Sequence, residues 1–109
     1  MEGKLIHYPA AKPENVYVLP GTTKSISNAA FMNCANLKTL TLPEGLTEIG
    51  AEAFRNCEGL KRLSVPSSVT SIGKDAFTVW KSEMIIQVKS GSFAQQYAAE
   101  NGIKAEIIP

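Results

Sequence analysis

Apolar positions along the chain fall into columns rather than into one stripe. Phe31, Phe54 and Phe77 recur every 23 residues, each preceded by alanine at Ala30, Ala53 and Ala76. Ile26, Ile49 and Ile72 keep the same interval, as do Pro20, Pro43 and Pro66. Leu19, Leu42, Val65 and Val88 form a further row, and Tyr17, Leu40, Leu63 and Ile86 another. Cys34 and Cys57 share a column whose next place is held by Trp80. A fixed period of this size predicts a repeat architecture, in which each unit buries its apolar face only against its neighbours.

Within one unit, "LKTLTLP" alternates Leu40 and Leu42 with Thr39 and Thr41, the period of a short strand with one buried face. Pro43 cannot donate to a ladder and ends that strand. "EGLTEIG" turns the chain and sends Leu46 and Ile49 back inside, with Gly50 and Gly73 expected to permit a tight turn. "AEAFRNCEGL" carries Ala53, Phe54 and Cys57 at a spacing that suits a helical turn or two. One rung is thus a strand, a turn and a short helical return, and stacking places the strands in one parallel sheet.

Both ends read as caps. Leu5, Ile6 and Tyr8 suit an edge strand, followed by a Pro-rich turn into residues 16–19. At the other end Ser92 is the expected N-cap of a helix in "FAQQYAAENG", with Phe93, Ala94, Tyr97 and Ala98 on its inner face and Gly102 as its stop. "KAEII" is expected to add a last strand. Residues 1–109 therefore read as a single solenoid, with an N-terminal cap over 1–15, three to four repeats over 16–90 and a C-terminal cap over 91–109.

The run L-x-x-L-x-L-P-x-x-L-x-x-I-G-x-x-A-F-x-x-C, from Leu37 to Cys57, resembles the BspA-like class of leucine-rich repeats. The resemblance covers about residues 5–90, and "SGSFAQQYAAENGIKAEIIP" is similar to the common ending of that family. Generic leucine-rich repeats place Asn or Cys three residues after the last strand leucine. Thr22, Gly45 and Ser68 stand there, a departure that fits the BspA-like class. The resemblance implies an α/β repeat fold, a short leucine-rich-repeat solenoid of 23-residue rungs with its parallel sheet on the concave face and a C-terminal helix–strand cap. It further implies a surface-exposed or secreted protein of a bacterium or protozoan, in a family whose members attach cells to host matrix proteins or to other cells.

Composition narrows the partners. With 44% apolar and 19% charged residues, the 109-residue chain is expected to be ordered and to bury about two-thirds of its unfolded surface. Eleven Lys and Arg against ten Asp and Glu leave no basic excess for nucleic acid or an anionic membrane. No segment is long and apolar enough to insert into a membrane, and "MEGKLIHYPAAK" lacks the apolar run of a signal peptide.

Candidate chemistry is sparse. His7 is the one histidine and lies in the N-terminal cap, away from the cysteine column, so a Cys–His nucleophilic pair is disfavoured. Two cysteines and one histidine without a C-x-x-C spacing do not close a zinc site. Stacked side chains run parallel, which favours a ladder of free thiols at Cys34 and Cys57 over a disulfide. "PGTTKS" lacks the second glycine of a phosphate-binding loop. Glu48 and Glu52 read as the solvated outside of a turn, and Trp80 as filler before the cap. No enzyme, cofactor or metal is expected.

Binding is left to the outward strand positions: Val16, Thr39, Arg62 and Ile85 in one row, and Val18, Thr41, Ser64 and Gln87 in the next. The candidate protein-binding residues are Thr39, Thr41, Arg62, Ser64, Ile85 and Gln87. Strands about 10 Å long stacked at about 4.8 Å give a face on the order of 200 Å². A stable interface takes about 800 Å² from each side, so a partner must also engage loops and flanks. Two readings follow: a non-catalytic protein-interaction module, with an extracellular matrix or host cell-surface protein as partner, or a structural spacer or capping segment of a longer surface protein. A monomer is favoured.

Overall fold

Among the described residues the expected inward columns reach the core, with Tyr17 and Ile72 only partly buried against it. The computed structural model describes residues 4–5, 15–77 and 85–108, the first two by their backbone. Ile6, His7, Tyr8 and Trp80 lie outside the described residues. The elements are β1 (Lys4–Leu5), β2 (Val16–Val18), β3 (Ser25–Ile26), β4 (Thr39–Thr41), β5 (Glu48–Ile49), β6 (Arg62–Ser64), β7 (Ser71–Ile72), β8 (Ile85–Lys89), α1 (Phe93–Asn101) and β9 (Lys104–Ile108). They build a parallel β-solenoid closed by one C-terminal helix and strand.

Two ribbons of stacked strands run along the solenoid, where the sequence suggested one. The longer strands pair in parallel, β2 with β4, β6 with β8 and β8 with β9, and a second ribbon has the order β1-β3-β5-β7. Each strand of the second ribbon is two residues long, too short to show a period of two in the sequence. β3, β5 and β7 each follow a turn opened by Pro20, Pro43 or Pro66, where the N–H three residues on bonds back to the proline carbonyl, as in Leu46 to Pro43 at 3.2 Å. The register keeps identical columns together: Ile26 pairs Ile49, and Ile49 pairs Ile72.

The return is a chain of turns rather than a helix, and the reason is visible in its hydrogen bonds. Alternate N–H groups bond along the stack, Ala29 to Ala51, Phe31 to Ala53 and Asn33 to Arg55, at 2.8–2.9 Å. The intervening ones, Ala30, Met32 and Cys34, close turns to Ser27, Ala29 and Phe31. A helix would spend every N–H within its own rung; this return spends half of them on the neighbour. The geometry needs left-handed residues, and Ala29, Glu52 and Asp75 in one column and Asn33 and Asn56 in another have φ between 56° and 63°. Asn56 Nδ2 also donates to Asn33 Oδ1 at 3.0 Å, and Asn28 Oδ1 accepts the Ala51 N–H at 2.8 Å. Asparagine thus links rungs on the return side, although it is missing from the place after the strand.

Phe31, Phe54 and Phe77 stack through the core with centroids 5.3 Å apart and rings within 10° of parallel. Tyr97 of α1 closes the column edge-on to Phe77 at 6.3 Å and donates its hydroxyl to the Gly73 carbonyl at 2.9 Å. The helix caps match expectation. Ser92 accepts from the Gln95 N–H, and Gly102 ends the helix in the left-handed region at φ 67°. Ala94 and Ala98 face inward, while Phe93 stays 39% exposed at the start of the helix.

Gly50 and Gly73 serve a different end from the tight turn expected of them. Neither has positive φ. A Cβ on Gly50 would lie 2.5 Å from the Asn28 amide nitrogen, and one on Gly73 would collide with the Ala51 backbone. These glycines let two rungs approach backbone to backbone.

Cys34 and Cys57 are buried free thiols. The Cys57 Sγ donates to the Phe31 carbonyl at 2.8 Å, across the rung boundary. Burial away from water pushes this thiol from 9.0 up to about 12. A group whose folded pKa is raised stabilises fully below its unfolded value and loses that contribution as pH rises toward its folded one. The native chain therefore resists a thiol reagent such as DTNB at pH 8 and yields two thiols once unfolded without reductant. A count of zero on unfolding would mean a disulfide.

Candidate protein-binding surface

Outward positions of the longer strands form an extended side-chain array. Leu40 and Leu63 point inward, so Thr39, Thr41, Arg62 and Ser64 on either side of them stand exposed. Val16 and Val18 continue the array on β2 at 55% and 61% exposure. Register aligns Val16 with Thr39 and Val18 with Thr41. It likewise aligns Arg62 with Ile85 and Ser64 with Gln87.

Ile85 and Gln87 are half-buried rather than open. The cause is β9, which sets Lys104 beside Ile85 and Glu106 beside Gln87. Ile85 is therefore a poorer contact residue than the sequence implied. Glu106 is the residue the sequence reading missed. It follows Gln87 by 19 residues instead of 23, so counting by the repeat passes over it, although the alternation in "KAEII" pointed to a strand.

Glu106 organises the polar side of the array. Ser64 Oγ donates to Gln87 Oε1 at 2.8 Å, and Gln87 Nε2 donates to Glu106 Oε1 at 2.8 Å. Arg62 Nη1 reaches both Glu106 oxygens at 3.3 Å. The Gln87 hydrogen bond first, and the Arg62 guanidinium second, hold the Glu106 carboxyl below the usual range. The pair is exposed and adds little to stability; its effect is to fix the orientation of Arg62 and Gln87.

Between β4 and β6 lies a cleft of about 460 Å³. Thr39, Thr41, Arg62, Ser64 and Gln87 line it, so the structure brings together five of the six candidate residues and leaves Ile85 aside. Lys38 and Lys61 line the same cleft, one 23-residue step apart. Hydroxyl, amide and cationic groups meet there, and both cysteines are buried elsewhere. Among the described residues no group of three or more His, Cys, Asp or Glu is placed to hold a metal ion. Glu48 is exposed, and Glu52 is engaged by Arg55 three residues on, so the two carboxylates do not work as a pair. Among the described residues no helix is long and apolar enough to cross a membrane. The arrangement is suited to hydrogen bonding and ion pairing with another surface.

Comparison with known proteins agrees with the geometry. No curated protein sequence matches the chain. The crystal structure of a leucine-rich repeat protein from Eubacterium ventriosum is similar, with a TM-score of 0.66 and 28% identity. The match covers 80% of this chain and 24% of that one, so the chain spans about a quarter of that protein's length. The model of the BspA type leucine rich repeat region matches residues 13–105, in six copies. The chain belongs to the BspA-type leucine-rich repeat family.

Proposed function

We propose that the chain is a non-catalytic protein-interaction module of a cell-surface or secreted protein, engaged in adhesion to a host or extracellular matrix protein. The observation that supports this reading is the gathering of Thr39, Thr41, Arg62, Ser64 and Gln87 around one cleft on the strand face. Exposed Val16 and Val18 beside that cleft extend it with apolar surface, which a purely solvated sheet has no use for. The surface or secreted setting comes from the family, in which such repeats are generally associated with exported proteins.

A structural spacer is the second reading, and one observation favours it: the neighbour of similar fold is about four times as long as the matched portion. In a longer array this segment could hold its neighbours in place while contacts are made elsewhere. The two readings separate in a binding experiment. The purified chain is presented to a panel of matrix and cell-surface proteins beside the double variant Thr41→Glu, Arg62→Glu, whose fold is checked by circular dichroism. The interaction reading expects binding by the parent that weakens at least about tenfold in the variant. Binding to no member of the panel leaves the spacer, and binding equal in both keeps an interaction module but moves its site away from Thr41 and Arg62.

A further inference from the structure

β9 is the outermost strand of its sheet. Among the described residues it pairs with β8 on one side and with no strand on the other. In a parallel pair, alternate residues direct their backbone groups to opposite edges. Ile85 donates to Lys61 and Gln87 accepts from Val65, so both face β6, and Ile86 and Val88 face β9. Register sets Lys104, Glu106 and Ile108 to answer them from β9. The N–H and C=O of Ala105 and Ile107 are therefore left on the outer edge, where no backbone bond among the described residues takes them up.

The side chains of β9 are incomplete in the same way. Through its pairing with Val88, Ile107 continues the column of Leu19, Leu42, Val65 and Val88. Those four are buried, whereas Ile107 is 51% exposed. Ala105 follows Ile86 in the neighbouring column and is exposed too. The inner face of β9 thus keeps apolar surface that the other rungs cover. Its outer face carries Lys104 and Glu106, two residues apart and of opposite sign. Lys104 has no ion pair among the described residues. Glu106 remains 47% exposed beside Arg62.

Charge decides what fits this edge. A second β9 laid parallel and in register sets Lys104 beside Lys104 and Glu106 beside Glu106, which opposes pairing. The β2 strand of a second copy, stacked head to tail, offers Val16, Tyr17 and Val18 and leaves both charges unanswered. Two β9 strands antiparallel about Ala105 set Lys104 of each copy opposite Glu106 of the other. That register has Ala105 exchange both backbone bonds with its counterpart. It also places Ile107 opposite the other copy's Ile103, which is only partly buried in its own core. Centring the pair on Glu106 instead would bring that carboxylate against itself.

We propose that two copies of the chain join through β9 as a two-fold dimer, antiparallel about Ala105, with Lys104 of each copy paired to Glu106 of the other and Ile107 set against Ile103. The β6-β8-β9 sheets of the two copies become one continuous sheet. Residues opposite one another in an antiparallel pair share a face, so the outward rows of both copies lie on the same side. A partner then meets twice the face of a single solenoid, which supplies area that one copy lacks. The monomer expected from the sequence becomes the dissociated state. The dimer goes beyond the interaction-module reading and does not depend on it.

Sedimentation equilibrium of the intact chain, from about 10 µM to about 1 mM, covers the weak range that an interface this small implies. The mass rises to that of a dimer and stops there. Lys104→Glu and Glu106→Lys, each checked for folding by circular dichroism, weaken the association at least about tenfold. An equimolar mixture of the two variants restores it, because each supplies the charges that the other needs. A parent that stays monomeric at every concentration overturns the proposal. Growth past the dimer also overturns it and assigns the edge to head-to-tail stacking. Single variants that associate like the parent, or that stay apart when mixed, overturn it as well by placing the contact elsewhere. All of these outcomes leave the Thr41 and Arg62 binding experiment to be judged on its own result.

Discussion

Replacing Phe54 by alanine lowers the stability of the chain by about 3–5 kcal/mol, the usual cost of emptying a large aromatic site in a core. Phe54 has no exposed surface and lies between Phe31 and Phe77, 5.3 Å from each. Truncation therefore removes two ring contacts at once and leaves a hole in the middle of the stack. Rungs on either side are held by the backbone bonds from Phe31 to Ala53 and from Phe54 to Ala76, which limits how far they can collapse into the hole. Against a total of about 5–15 kcal/mol for a domain of this kind, the loss is a large share. Thermal unfolding followed by circular dichroism reads it, at about 4–8 °C per kcal/mol for a domain near this size. A variant that melts within a degree or two of the parent would show that the phenylalanine column does not carry the stack.

Gly50→Ala costs about 1–3 kcal/mol, although alanine is ordinarily the milder residue. The added Cβ would stand 2.5 Å from the Asn28 nitrogen and 2.6 Å from the Ser27 carbonyl carbon. Both are backbone atoms, so relief requires a shift of the whole rung. Such a shift strains the Gly50 to Ile26 bond of 2.8 Å and the Asn28 contact to Ala51. Gly21→Ala is the control, because a Cβ there meets nothing within 4 Å and Gly21 does not have positive φ. That change is neutral or slightly stabilising, through loss of freedom in the unfolded chain. Urea titration of both variants decides the matter; equal midpoints would remove the close-approach role of Gly50.

The contrast between those two glycines marks the limit of what the residues alone could say. Column counting located the core, because a buried place must be refilled in every rung. Leu19, Leu42, Val65 and Val88 are all buried, as are Phe31, Phe54 and Phe77 and both cysteines. The caps were legible for a local reason: Ser92 and Gly102 satisfy helix ends by their own chemistry. Features set by neighbouring rungs were not legible. The β3-β5-β7 ribbon rests on pairs of residues, and the turns of the return are selected by bonds to the next rung that leave no periodic trace.

The binding face was half legible for the same reason. Thr39, Thr41, Arg62 and Ser64 announced themselves by alternation, and their columns looked continuous from β4 to β6. Nothing in an unbroken 23-residue step signals that the ladder lapses between β4 and β6. Glu106 was hidden by its shorter step. Ile85 seemed open because the strand that shelters it belongs to the cap.

The seam between β4 and β6, where the longer strands form no pairing, is the point on which the site depends, and amide hydrogen exchange of the free, folded chain tests it most directly. Leu19, Val65 and Ile85 donate their N–H groups to the adjoining strands, while Arg62 and Ser64 face the seam. The expected result is slow exchange at Leu19, Val65 and Ile85 and exchange faster by orders of magnitude at Leu40, Arg62 and Ser64. Uniform protection across all six amides would mean that β4 and β6 are bonded like the rest of the stack, and the cleft at the centre of the proposed binding surface would be closed.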